Sequence, residues 1–279
     1  MLRFKKPGKA IRVCIDCRHI NKLTKKNRYG IPRPEELMDQ IGGCKVFSTI
    51  DLKSGYYQVR LQEHEVERTA FSTPWGLYEY LVMPFGLCNA PSVFQKAINH
   101  TLRPIIGKFA VVYLDDILIY SRTEEEHEQH LREVLKLLRA DGWFANGGKL
   151  NWFVKEIAFL GHIITHDGVK ADPAKLAPIQ DWPFPENVQE VRQFLGTTNY
   201  FRKYVEKYAK IAAPLVELTK KNIPESHWKT PERLQAFQAL KDALTSPAVL
   251  AVPDFTKPWE VWTDASAVSY THLTLPTKA

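Results

Sequence analysis

Short apolar runs dominate the first half of the chain, and apolar positions at helical spacing dominate the second. Phe109–Leu114 and Ile117–Tyr120 are rich in β-branched and aromatic residues and are separated only by Asp115 and Asp116. That pattern predicts a hairpin with two acids in its turn. Val46–Ile50 predicts a buried strand running into Asp51, and Ile157–Leu160 another that leads to Gly161 and His162. Phe4–Arg28 reads as a basic hairpin turning at Pro7-Gly8, and Thr69–Leu81 as a hairpin turning at Pro74-Trp75-Gly76. A short helix is expected over Glu35–Ile41, closed by Gly42-Gly43. Asn89 and Pro91 precede Phe94, Ala97, Ile98 and Thr101, a capped helix. Thr123 and Glu126 form a capping-box pattern before a helix with Leu131, Val134, Leu135 and Leu138 on one face. The order strand, helix, hairpin, helix, strand predicts an α+β fold with an antiparallel sheet.

Beyond Asp172 the pattern changes. Pro173, Pro178, Pro183 and Pro185 read as a linker, and Asn187 with Glu190 as the cap of a helix bearing Val191, Phe194, Leu195 and Thr198. Tyr200, Phe201, Tyr204 and Tyr208 extend it as an aromatic stripe that serves either packing or base stacking. A helix over Glu232–Leu244 and strands over Val249–Val252 and Trp259–Trp262 follow.

The 279 residues are enough for more than one domain, and 25% charged with 44% hydrophobic residues describes a soluble globular chain. No apolar run approaches the roughly 20 residues of a membrane span, and residues 1–10 lack the apolar core of a signal peptide. The expectation is an intracellular, cytoplasmic protein with no membrane partner, its four cysteines reduced. A net charge of +7 favours a polyanionic partner without identifying it. The basic hairpin is either a phosphate grip or a solvated face.

The Asp115-Asp116 pair changes the picture most. A two-residue hairpin turn favours Asn-Gly or Asp-Gly, and adjacent carboxylates repel, so the pair is either an ordinary polar turn or a site for a divalent cation. If the strand ending at Asp51 lies beside the hairpin, Asp51 and Asp115 can bridge two divalent ions about 3.5–4 Å apart, the constellation of nucleotidyl transfer. Phosphate-loop signatures GxxxxGK[ST] and GxGxxG and the GxSxG elbow are missing from the sequence. Cys14-x-x-Cys17 lacks a second pair at zinc-finger distance.

With YLDD at 113–116, FSTIDLKSGYY at 47–57, MPFGLCNAP at 83–91 and FLGH at 159–162, the chain resembles the reverse transcriptase of gypsy-like long-terminal-repeat retrotransposons. The likeness runs from about Phe4 to Ser266. It implies a right-hand polymerase: fingers and palm over 1–168, a helical thumb over 169–222, a connection over 223–256, a truncated ribonuclease H start over 257–266, and an unrelated tail over 267–279. The implied activity is RNA-directed DNA synthesis, in which two Mg²⁺ ions, with Mn²⁺ able to substitute, extend a primer on an RNA or DNA template with deoxynucleoside triphosphates. Ribonuclease H activity is not expected, because that domain's remaining acids are missing. Asp51, Asp115 and Asp116 fall on the catalytic triad, with Asp51, Asp115 and the Leu52 carbonyl as metal ligands. Lys5, Arg12, Tyr56, Phe85 and Lys149 fall on the nucleotide site: Lys5 and Arg12 on the triphosphate, Tyr56 as the gate against a ribose 2′-hydroxyl, Lys149 as proton donor to pyrophosphate. Leu160, Gly161 and His162 resemble the primer grip, and Arg192, Gly196 and Tyr200 the thumb helix along the duplex. Cys17 stands where the family usually has an aromatic, and GKL at 148–150 where it has Lys-Lys-Cys. Other Pol segments or a second copy are the expected protein partners, with virus-like particles as a further location. The alternative from another class is a catalytically silent nucleic-acid-binding remnant.

Overall fold

The computed structural model describes residues 2–4, 12–220, 223–224, 228–245 and 249–250. In chain order its elements begin with β1 (Leu2–Phe4) and β2 (Arg12–Cys14), which pair antiparallel. Arg18–Leu23, expected as part of that hairpin, is instead a helix, α1. Then come α2 (Pro34–Met38), β3 (Val46–Asp51), α3 (Glu63–Val66), the hairpin β4 (Phe71–Thr73) and β5 (Gly76–Tyr78), and α4 (Ala90–Thr101). β6 (Ala110–Tyr113), β7 (Asp116–Ser121) and α5 (Glu124–Ala140) follow. Four further strands are β8 (Asn151–Val154), β9 (Ile157–Phe159), β10 (His162–Thr165) and β11 (Gly168–Ala171). The chain continues through α6 (Pro173–Gln180), α7 (Val188–Tyr200), α8 (Tyr208–Glu217), α9 (Pro231–Thr245) and β12 (Val249–Leu250). The expected strand Trp259–Trp262 lies outside the described residues.

The central sheet has the order β6-β7-β3-β8, antiparallel throughout. Its strands alternate between two cores, as the two-residue period of a strand requires. Ile50, Val112, Ile117 and Ile119 face one core with Phe94 and Ile98 of α4 and Val134 and Leu138 of α5. Phe47, Val111, Leu118 and Tyr120 face a second, shared with Leu37 and Met38 of α2 and with Ile157, Phe159 and Ile164 of the second sheet, ordered β12-β11-β10-β9. A third core, around Phe194, Leu215, Phe237 and Leu240, joins α6 to α9.

Several local expectations are corrected. Residues 173–180 form a helix rather than a linker: Asp172 caps it by accepting the Ala174 N–H, Pro173 occupies the first turn where it lacks no needed donor, and Pro178 lies within the helix. Asn89 precedes α4 but does not cap it, because its side chain accepts the Asn27 N–H and donates to the Lys25 carbonyl. Thr123 does cap α5, whereas Glu126 returns its bond to the Arg122 N–H. Leu135 faces solvent. The aromatic stripe does not continue α7; the helix stops at Tyr200 and α8 begins after Lys207, at φ +54°.

The central sheet is bolted to α5 by a buried polar link. His127 takes Ser48 Oγ of β3 at 2.7 Å through Nε2 and Ser121 Oγ of β7 at 2.8 Å through Nδ1. Ser121 also meets His130 Nδ1 at 2.8 Å. Burial, with the nearby His130 charge second, pushes the His127 imidazole down to about 4. The unfolded chain takes up a proton near 6.5 that the folded chain refuses, so stability is lost as pH falls from 6.5 toward 4. On the order of 2 kcal/mol disappears by pH 5. Urea titrations of the wild type and His127→Gln at pH 7.5 and 5 check this: the loss is expected to be larger in the wild type by about 2 kcal/mol, and an equal loss in both contradicts it.

Candidate active site

Six consecutive residue pairs hold β3 against β7, the last of them Asp51 opposite Asp116. The Leu52 N–H donates to the Asp115 carbonyl at 3.1 Å just beyond that pair. Three acids from two distant parts of the chain thus meet at one end of the sheet. The turn itself is shifted by one residue from the expected position. Tyr113 pairs with Asp116, so the two loop residues are Leu114 and Asp115, and Asp116 opens β7. Leu114 takes φ +50°, a left-handed conformation that glycine adopts at lower cost.

Gln95, fully buried on α4, holds this turn in place. Its Oε1 accepts the Leu114 N–H at 2.7 Å, and its Nε2 donates to the Val112 carbonyl at 3.2 Å and to Asn99 Oδ1 at 2.8 Å. Asn99 donates in turn to the Tyr29 hydroxyl at 3.0 Å. Sequence reasoning missed Gln95; the available signal was a polar residue beside Phe94 on the inward face of α4.

Asp115 is half-buried, and its Oδ1 is enclosed with no hydrogen-bond partner among the described residues. Burial pushes its carboxyl up to about 6, reinforced by the charges of Asp116 and Asp51 and opposed by Lys149. Asp116 is solvent-exposed, and its carboxyl is also raised, by partial desolvation and by Asp51. Gly55 makes the close approach possible, since a Cβ there would stand 2.5 Å from Asp115 Oδ1 and 2.8 Å from the Phe94 ring. Asp51 is directed elsewhere: Lys149 Nζ donates to its Oδ2 at 2.7 Å and Asn146 Nδ2 to its Oδ1 at 3.4 Å. Among the described residues no three His, Cys, Asp or Glu side chains converge as a ready-made metal cage. The donor set still fits a hard divalent cation, because it consists of carboxylate oxygens in negative excess, one of them buried and unpartnered.

Tyr56 and Phe85 adjoin these acids. Tyr56 lies in the single 3₁₀ turn Gly55–Gln58, its ring 5.0 Å from Phe85 and 5.4 Å from Phe94. Burial raises its phenol, and the Asp115 charge adds to this. Leu52 is buried directly after Asp51. Lys5 lies outside the described residues; Arg12 opens β2, pairing with Phe4, and only its backbone is described.

Leu160 and Gly161 form the two-residue turn between β9 and β10, at φ +48° and +77°. The Tyr200 hydroxyl donates to the Leu160 carbonyl at 2.6 Å. His162 is buried, its Nδ1 2.9 Å from the Tyr204 hydroxyl, and burial lowers its pKa. The structure therefore brings Leu160, Gly161, His162 and Tyr200 together, with Tyr200 braced against the turn and 39% exposed. Arg192 and Gly196 precede Tyr200 at four-residue intervals on the exposed side of α7.

Residues 4–164 match the family model described as reverse transcriptase (RNA-dependent DNA polymerase). Residues 228–275 match an RNase H-like domain found in reverse transcriptase, beginning before and ending after the stretch 257–266. The retrovirus-related Pol polyprotein from transposon 297 of Drosophila melanogaster is 42% identical over 255 residues, covering 91% of this chain and 24% of the relative. That from transposon gypsy of the same organism is 40% identical over 276 residues, covering 95% and 26%. The chain thus spans about a quarter of the length of these curated relatives. Among solved structures, a foamy viral protease-reverse transcriptase in complex with double-stranded DNA superposes with a TM-score of 0.82 at 26% identity, over 90% of this chain and 44% of that one. Its complex with an RNA/DNA hybrid gives 0.76 at 26% identity, over 89% and 33%.

Replacing Gln95 with Met keeps the volume but strands the Leu114 N–H. Denaturant titration should show a loss of about 1–3 kcal/mol; an unchanged midpoint would mean that the turn does not depend on this bond.

Proposed function

The chain belongs to the reverse transcriptase family, and on that premise we propose that it is the RNA-directed DNA polymerase portion of a retrotransposon Pol polyprotein. It extends a primer 3′-hydroxyl with deoxynucleoside triphosphates on an RNA or DNA template. The observation that carries this reading is the meeting of Asp51, Asp115 and Asp116 at one end of the central sheet. Foamy viral relatives in complex with double-stranded DNA and with an RNA/DNA hybrid support a nucleic-acid duplex as partner.

Asp51 and Asp115, with the Leu52 carbonyl, would hold two Mg²⁺ ions, and Asp116 would strengthen the local field. Ions held there supply Lewis acidity to the primer hydroxyl and neutralise charge on the departing pyrophosphate. The remaining work belongs to the chain. Phe85 and Phe94 pack against the Tyr56 ring, which would act as the gate against a ribose 2′-hydroxyl. Lys5 and Arg12 would bind the triphosphate, and Lys149 would deliver a proton to the leaving group. Leu160, Gly161 and His162 would seat the primer terminus, with Arg192, Gly196 and Tyr200 beside the duplex. Ribonuclease H activity is not proposed for this fragment. A catalytically silent remnant is not favoured, since the family match spans all three acids.

Primer extension on an RNA template tests the reading. Asp115→Asn should lower synthesis at least about a hundredfold, because several kcal/mol of charge stabilisation are removed; equal activity sinks the assignment. Tyr56→Ala should raise ribonucleotide incorporation relative to deoxynucleotide by about 10- to 100-fold, the scale of one steric contact. Unchanged discrimination removes the gate role from Tyr56.

A further inference from the structure

Among the described residues, Lys149 is a cation that acts on all three acids. Lys149 Nζ lies 2.7 Å from Asp51 Oδ2, and Lys149 is the positive charge that opposes the rise of both Asp115 and Asp116. The backbone around it is stitched to the same aspartate. The Asn146 N–H donates to the Asp51 carbonyl at 2.8 Å, the Asn146 side chain caps the turn through the Gly148 N–H at 3.3 Å, and the Lys149 N–H donates to the Asn146 carbonyl at 3.0 Å. The base of the lysine is therefore fixed relative to Asp51, whereas its head is held by a single solvent-exposed contact: the Lys149 side chain is 62% exposed and the Asp51 side chain 21%.

The geometry points to Lys149 as a positioning residue that stands in for a divalent ion at Asp51 and is exchanged for it when the ion arrives. The inference rests on the polymerase reading only in supposing that a divalent ion binds at this aspartate. An ion pair this exposed is weak, so it orients Asp51 without locking it. A doubly charged ion with several oxygen ligands outcompetes a single ammonium on a flexible stem. The exchange accounts for the Lys149 ammonium resting on Asp51 Oδ2 beside the charges of Asp115 and Asp116. It further gives Lys149 two stations. The ammonium is held on Asp51 in the metal-free protein and becomes available to the departing pyrophosphate only once that place has been taken.

Two measurements on the whole chain, neither of them activity, decide the matter. The first is Mn²⁺ binding by electron paramagnetic resonance, without nucleotide or nucleic acid, for the wild type, Lys149→Gln and Lys149→Arg. Removing the competing ammonium should tighten binding about two- to fivefold, the equivalent of an exposed ion pair, and Lys149→Arg should bind like the wild type. A purely structural role for Lys149 gives the opposite sign, weaker binding in Lys149→Gln. The second is the acylation rate of the Lys149 amine, read by mass spectrometry. Saturating Mn²⁺ should raise it in the wild type to the metal-free rate of Asp51→Asn, and should leave it unchanged in Asp51→Asn. Equal or weaker Mn²⁺ binding by Lys149→Gln, no binding by either protein, or Mn²⁺-insensitive labelling of the wild type overturns the inference. Primer extension is scored separately: synthesis without exchange removes this inference alone, and exchange without synthesis removes the polymerase reading alone.

Discussion

The antiparallel register of β3 on β7 is the constraint on which the rest of this structure depends. Each strand carries one core on each face, so a slip of β7 by one residue would turn Ile117 and Ile119 toward the wrong helices and separate Asp116 from Asp51. The apolar alternation that makes the fold therefore also aligns the acids. His127 secures the same pairing from outside the sheet, gripping one serine on each strand. Stability and chemistry are specified here by a single set of hydrogen bonds.

At the tip the chain accepts costs that a merely structural hairpin would avoid. Leu114 adopts a left-handed conformation, Asp115 is half-buried without a partner for Oδ1, and three carboxylates crowd one strand end. Such features persist only where their surroundings over-determine them. Gln95 supplies the missing acceptor for the strained residue, Gly55 vacates the space that the carboxylate occupies, and Lys149 offsets part of the charge. The cation site proposed at these acids would account for all three accommodations together.

Much of this was legible in the sequence. Val46–Ile50, the hairpin around Asp115 and the helices after Asn89 and Thr123 follow from apolar period and capping residues, and they position the acids. What could not be read depends on contacts between distant residues. Whether Leu114-Asp115 or Asp115-Asp116 forms the turn is decided by pairing register and by Gln95, neither of which composition reveals. Asn89 has the chemistry of a cap, yet two partners in the segment before α2 compete for its amide. The prolines at 173 and 178 suggest a break, but position within the turn decides their effect, and Asp172 makes the helix start favourable. The strands β8, β10 and β11 were not anticipated, being short and lacking a long apolar run.

The turn between β9 and β10 has a mechanical consequence. Two successive left-handed residues leave its backbone little slack, and Tyr200 at the end of α7 clasps its carbonyl while Tyr204 holds the adjacent histidine. The turn and the helical core behind it are coupled as a lever and its pivot. Because the Tyr200 hydroxyl holds the Leu160 carbonyl, a tilt of α7 would be felt first at Leu160 and Gly161. The stiffness of a two-residue loop thus ties the position of the helical region to that of the β9–β10 turn.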